Sequence, residues 1–187
     1  MPNNQIVKMN DALFNKLGEV VSDDERSDFL PKNLKNNALA YINFENMVYS
    51  MAAQMSKDYK GGQWVFVQCK DSKGFFMYPS SGEFLVRSEN FIGEYIIDNR
   101  TFGLIATIMV SSHGSFAFQG NKEVCELFGD NCQKLHSHFF NLVDKFCFGE
   151  EDESGEVVSK GTDFSSITPE QRKEMSELSS VVYNYLD

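Results

Sequence analysis

The sequence predicts a single α+β domain in which a small antiparallel β-meander packs with several helices. Three short runs rich in Val, Phe and Tyr, residues 63–69, 74–78 and 83–87, are separated by turn-forming Asp71-Ser72-Lys73-Gly74 and Pro79-Ser80-Ser81-Gly82. Gaps that short join antiparallel strands, because parallel neighbours need a crossover of roughly a dozen residues or more. Segments with apolar residues at helical spacing lie on both sides of these runs. A chain of 187 residues, 42% hydrophobic and with 17 Phe, buries a sizeable core without disulfides or metal.

Residues 10–17 read as a short helix that Asn10 or Asp11 can cap and Gly18 can end. Residues 22–28 form a polar, acidic linker leading to Phe29-Leu30-Pro31. A stronger helix is expected over residues 37–57, where Phe44, Met47, Val48, Met51, Ala52 and Met55 make one apolar face. Gly61-Gly62 stops it before the first strand. After the meander, a short strand is expected over 93–97, and Asp98 is placed to cap a helix running to about Val110. Residues 121–128 and 131–148 read as two further helices, and 149–167 as an acidic, mobile segment. Thr168-Pro169-Glu170-Gln171 then starts a final helix, with a capping Thr, a first-turn Pro and Gln at the capping-box position.

The longest apolar stretch, residues 102–110, is far too short to span a bilayer, and residues 1–16 are polar, so a cytosolic protein is expected. Cys69, Cys125, Cys132 and Cys147 are widely spaced and read as free thiols. The net charge is −10, unevenly spread: residues 149–187 hold ten of the 27 acidic residues and three of the 17 basic ones. No basic surface for nucleic acid is visible, so direct DNA binding is not expected. The remaining body is too nearly balanced to imitate DNA over its whole surface.

Several constellations bear on chemistry. Cys125, Cys132, His136 and His138 could suggest zinc, with Cys132 and His136 four apart on one helix face, but there is no tight Cys-x-x-Cys knuckle and the neighbouring Leu and Phe explain the helices as core. No Gly-x-Ser-x-Gly elbow, Walker loop or Rossmann glycine pattern occurs. Ser111-Ser112-His113 sets hydroxyls beside an imidazole, but triads are assembled in space, so His113 is expected in a loop. Glu150-Glu151-Asp152-Glu153 reads as a solvated, self-repelling loop. Tyr59 and Trp64 flank the glycine pair, either as core or as an exposed aromatic anchor.

One ordered series of motifs runs through the centre of the chain. It comprises Phe29-Leu30-Pro31, Glu45-x-x-Val48-Tyr49, Asp58-Tyr59-x-Gly61-Gly62-x-Trp64-x-Phe66, Gly74-Phe75-Phe76-x-x-Pro79, Asn90-Phe91-x-Gly93-Glu94 and Gly103-x-x-Ala106-Thr107. In combination the series resembles the ArdB/KlcA-type antirestriction proteins, over roughly half the chain. Relative to that family, residues 1–28 are an N-terminal extension and 29–187 the antirestriction-like domain, with insertions expected at 111–134 and 149–167. The resemblance implies a bacterial cytoplasmic protein, encoded by mobile DNA, that relieves type I restriction of incoming plasmid or phage DNA. It implies an interaction protein and not an enzyme, with no cofactor and no metal. Its partner would be a type I restriction-modification enzyme or an associated host protein. The matched residues offered as partner-binding candidates are Asp58, Tyr59, Trp64, Asn90 and Asp98, with Asp187 outlying. Each also has an architectural role open to it: Asp58 and Asp98 bound helices, Asn90 suits a turn and Trp64 suits a core. The alternatives from other classes are an enzyme with an unrecognised site and a small metal-binding regulatory module using Cys132 and His136.

Overall fold

The chain enters the core almost at once. In the computed structural model, which describes residues 6–87, 94–148, 150–151, 157–158 and 167–186, β1 (Ile6–Val7) leads into α1 (Asp11–Leu17) and β2 (Gly18–Val20). The Asn10 side chain caps α1, accepting from the Leu13 N–H at 2.9 Å, and Leu13, Phe14 and Leu17 turn inward. The N-terminal segment thus supplies a helix and two strands to the body of the fold. The stretch expected as a linker ends in a helix instead: α2 (Arg26–Asn33) buries Phe29 and Leu30. Lys35 and Asn36 then adopt φ of 50° and 57°, and the Asn36 N–H reaches the Pro31 carbonyl at 2.7 Å, a left-handed helix stop. Asn37 caps α3 (Ala38–Met55), whose Ala40, Phe44, Val48, Ala52 and Met55 recur at four and three and are buried.

Strands β3 (Trp64–Cys69) and β4 (Phe75–Pro79) form the expected antiparallel pair, with Val67 opposite Phe76. β2 adds to the other edge of β3. The meander stops there. β5 (Glu83–Arg87), expected beside β4, pairs with β6 (Glu94–Asp98) in a second three-stranded sheet, Leu85 opposite Ile96, and β1 joins β6 in parallel. The α+β class holds, but the strands are divided between two sheets.

The reason lies in the two helices that follow, α4 (Asn99–Ala117) and α5 (Lys122–Phe148), which occupy the edge of β4 that β5 would need. Antiparallel pairing points the backbone groups of residues 74, 76, 78 and 80 toward β3 and those of 75, 77 and 79 away from it. Every one of these outward groups finds a helix side chain. Asn131 of α5 accepts from the Phe75 N–H at 2.9 Å and donates to the Phe75 carbonyl at 3.1 Å. The Thr107 hydroxyl of α4 accepts from the Met77 N–H at 3.2 Å and donates to the Met77 carbonyl at 3.3 Å. Pro79 has no N–H, and its carbonyl accepts from Asn99 Nδ2 at 2.8 Å. Side chains thereby close an edge that would otherwise demand another strand. Gly103 permits the approach, because a Cβ there would stand 2.3 Å from Tyr78 Cα.

α4 runs seven residues past the expected end at Val110, so His113 lies in a helix and not in a loop. Ser111 is buried and accepts from Asn131 Nδ2 at 3.1 Å, a structural use of the hydroxyl that stood beside His113. The two helices expected over 121–128 and 131–148 are one, α5, unbroken through Gly129 and Asp130. Its Val124, Leu127, Phe128, Asn131, Leu135, His138, Phe139, Leu142, Val143 and Phe146 form a continuous inward stripe, so burial carries the helix through the glycine. The short β7 (Glu150–Glu151) and β8 (Val157–Val158) pair antiparallel; of the expected mobile segment, residues 149, 152–156 and 159–166 lie outside the described residues. α6 (Pro169–Leu186) begins with the predicted capping box, Thr168 N–H to Gln171 Oε1 at 2.9 Å and Gln171 N–H to Thr168 Oγ1 at 3.2 Å. α3, α5 and α6 pack around α4, the most buried helix of the chain. No described helix is long and apolar enough to cross a membrane.

Candidate partner-binding surface

The block from Asp58 to Trp64 folds as one unit between α3 and β3. Ser56 ends α3, and its hydroxyl accepts from the Asp58 N–H at 3.2 Å. Asp58 is exposed, and its carboxylate accepts from the Leu85 N–H of edge strand β5 at 3.4 Å. Gly61 and Gly62 adopt φ of 87° and 134°, and a Cβ at either would meet no atom within 4 Å, so backbone conformation, not space, is what calls for glycine. Trp64 is 1% exposed, and its indole N–H donates to the Tyr59 hydroxyl at 2.8 Å. Half-buried Tyr59 packs its ring on Trp64, Phe84 and Phe102, with centroids 5.8, 6.2 and 6.0 Å away. On the other side of the indole stands Tyr49, 5.6 Å between centroids, whose hydroxyl donates to Glu45 at 2.6 Å. Burial, then the Glu45 carboxylate, pushes the Tyr49 phenol well above its ordinary range.

Asp98 works elsewhere. As N-cap of α4 its carboxylate accepts from the Thr101 N–H at 3.0 Å and, from the segment after β1, the Met9 N–H at 3.3 Å. Burial pushes its carboxyl above the ordinary value of 3.8, and the Thr101 and Met9 hydrogen bonds and the Arg100 charge pull part of the way back. It lines a cleft of about 650 Å³ with Arg100, Asp11, Glu174 and Glu177. Arg100 there bonds Asp11 at 2.6 Å and lies 4.0 Å over the Phe14 ring.

The structure therefore brings Asp58, Tyr59 and Trp64 together and sets Asp98 apart. Asp58 holds the outer edge of β5, whereas Asp98 meets the Met9 backbone beside β1, at the opposite edge of the same sheet. Trp64 is inside and cannot serve as an exposed anchor. Asn90 and Asp187 lie outside the described residues. The motif series is thus largely scaffold: Gly103 and Thr107 dock α4 on β4, Pro79 suits an edge without an N–H, and Trp64 locks the glycine turn.

Residues tied to no motif also matter. Asn131, within a stretch expected as an insertion, carries three buried hydrogen bonds. Cys132 and His136 line a second cleft together, with burial raising the thiol and lowering the imidazole. His138 points away to Leu17, its Nε2 donating to that carbonyl at 3.1 Å. Among the described residues no group of three His, Cys, Asp or Glu is placed to hold a metal ion.

No family model matches the chain. In sequence it is similar to YubI of Escherichia coli strain K12, whose designation as an antirestriction protein is provisional: 27% identity over 104 residues, 56% of this chain and 71% of YubI. In fold it is similar to a solved structure of the KlcA and ArdB proteins, at a TM-score of 0.58 and 17% identity, covering 91% of this chain and 94% of that one. Those proteins are described as having a novel fold and antirestriction activity against type I DNA restriction systems in vivo but not in vitro. The resemblance to the ArdB/KlcA type carried by the motifs between Phe29 and Thr107 is thus borne out in fold and in sequence.

Proposed function

We propose that this protein relieves type I restriction of incoming plasmid or phage DNA, acting in the cytoplasm by binding a protein and not by catalysis or gross DNA mimicry. The observation that carries this reading is the KlcA/ArdB fold over nearly the whole of both chains, joined to sequence similarity with YubI. The charge distribution along the sequence supports a protein partner, since no basic run for DNA stands out in it and the net acidity is concentrated in residues 149–187. The buried state of Ser111 and its bond to Asn131 remove it as a nucleophile.

The partner is a type I restriction-modification enzyme or a host protein associated with one. Activity in vivo but not in vitro, described for KlcA and ArdB, is what an inhibitor working through a second host component would show. Asp58 is the exposed candidate from the motif series, and its place beside the β5 edge makes that edge the first region to probe.

The test is the plating efficiency of unmodified phage on a host with an active type I system, with and without the chain. Expression raises plating toward that of modified phage. Unchanged restriction by a folded, well-expressed chain overturns the reading. Affinity capture from the same cells then separates a restriction subunit from another host protein.

A further inference from the structure

The edges of the two three-stranded sheets are guarded unequally. Helix side chains satisfy the outward groups of β4, and β1 and β2, at two further edges, are only two and three residues long. β5 is the remaining edge and has five residues. Because the Leu85 N–H points to Asp58 and not to β6, antiparallel alternation directs the backbone groups of Glu83, Leu85 and Arg87 away from β6. Among the described residues one of these groups has a partner: the Leu85 N–H, on the exposed Asp58 carboxylate at 3.4 Å. A row of unpaired backbone groups is a template for another strand.

The side chains say which strand fits. The order Glu83-Phe84-Leu85-Val86-Arg87 is self-complementary. Laid antiparallel on a second copy of itself about a two-fold axis at Leu85, it sets Leu85 opposite Leu85 and each Glu83 opposite the other copy's Arg87. The residues that face one another in this register are those whose backbone groups point outward, so each facing pair exchanges two hydrogen bonds. A slip of two residues either way loses one facing pair and both Glu–Arg pairs. Glu83 lacks a cation in its own chain: it stands opposite Asp98 on β6, and it has no ion pair among the described residues. Like charges facing across strands are unfavourable, and an Arg from a second copy relieves them. Arg87 meets Glu94 at 2.6 Å and keeps further guanidinium donors for a second carboxylate. On the same face Leu85 lies opposite Ile96 and Ile96 opposite Ile6, all three half-buried. Pairing two copies at Leu85 joins these residues into one apolar row across a six-stranded sheet.

We propose that β5 joins a second copy of this chain edge to edge, in an antiparallel two-fold dimer centred on Leu85. Asp58 gives up the Leu85 N–H, and the Leu85 carbonyl of the second copy takes it over. A five-residue edge is small beside the roughly 1,200–2,000 Å² of stable interfaces, so the dimer is a weak one, dissociating at roughly 10–300 µM. The assignment does not rest on the antirestriction reading, and its failure leaves that reading standing.

Sedimentation equilibrium of the purified full chain, from about 10 to 500 µM, tests it. The parent passes from monomer toward dimer over this range, and less so at high salt. Glu83→Arg sets Arg opposite Arg twice, and Arg87→Glu sets Glu opposite Glu twice; each loses about tenfold or more in self-association. Mixed in equal amounts the two variants associate again, because each now faces the opposite charge, a rescue that misfolding cannot produce. Asp58→Ala, with no bond to surrender, dimerises at least as tightly as the parent. A dimer that Glu83→Arg leaves intact, a mixture that fails to associate, or an Asp58→Ala dimer weaker than the parent's each overturns the proposal. So does a chain that stays monomeric to about 500 µM, which leaves the edge to an extended segment of another protein.

Discussion

Replacing Asn131 with Leu isolates the closure of the β4 edge. The substitution keeps the side chain's bulk and removes its polar atoms, so the packing of α5 on β4 survives while the hydrogen bonds do not. Three buried groups lose their partner at once: the Phe75 N–H, the Phe75 carbonyl and the Ser111 hydroxyl. Ser111 can rotate, but the two backbone groups cannot, and water has no path to the Phe75 backbone, where both bonds to Asn131 are buried. Each stranded group costs about 1–3 kcal/mol. Against that stands the gain from burying the Leu side chain in place of the amide, about 1–2 kcal/mol. The expected net loss is about 3 kcal/mol. For a domain of this size that lowers the melting temperature by about 6–12 °C. Differential scanning calorimetry measures it, with Asn99→Ala as the comparison. That variant releases only the Pro79 carbonyl, in a partly buried position that water can reach, and loses about 1 kcal/mol or less. If Asn131→Leu melts within about 1 kcal/mol of the parent, β4 does not depend on side-chain closure of its edge, and the account of why β5 pairs elsewhere fails.

Gly103→Ala places a Cβ 2.3 Å from Tyr78 Cα, so α4 must back away from β4; a loss of about 3 kcal/mol in urea titrations is expected. Asp98 has a folded pKa above its unfolded value, so its charge is a burden fully present above the folded pKa and relieved as pH falls toward the unfolded value. Relative to Asp98→Asn the parent therefore gains stability between neutral pH and about pH 4, and parallel pH profiles of the two proteins would show the cause misassigned. Asp58→Ala removes one long hydrogen bond from an exposed residue and costs less than about 1 kcal/mol, so any fall in phage plating by this variant reports lost contact with a partner and not lost folding. Trp64→Phe leaves the Tyr59 hydroxyl unmatched and lowers relief of restriction only in step with the amount of folded protein, which parallel solubility and plating measurements separate. Deleting residues 149–155 leaves both the melting temperature and the relief of restriction little changed, because the motif series passes around them; loss of relief by the folded deletion would place the acidic run in the acting surface.

Local chemistry made much of this architecture readable in the sequence. Asn10, Asn37, Asp98 and Thr168 cap helices because their side chains reach an N–H three residues on, an interaction decided within one turn. The β3–β4 hairpin is similarly local, its register held by four turn residues. Gly61 and Gly62 advertised a backbone reversal, and the motif series advertised the fold that the structure shares with KlcA and ArdB. Other features were settled only when distant segments met. Nothing near Glu83 says that β5 must leave β4: that follows from Thr107 and Asn131, 30 and 56 residues away in their pairings, occupying the edge. The same contact turned Asn131 and Ser111 from polar residues in a supposed insertion into buried hydrogen-bonding groups. Gly129 ends no helix because an apolar stripe on both sides of it is buried against α4, and that burial outweighs glycine's weak propensity. The candidate surface was least legible of all, since Trp64 and Tyr59 read first as core with an exposed anchor as the alternative, and only the indole bonded to the hydroxyl inside the fold decided between them. A sequence records which side chains can bury or bond; which of them remain for a partner depends on what the tertiary structure has already consumed.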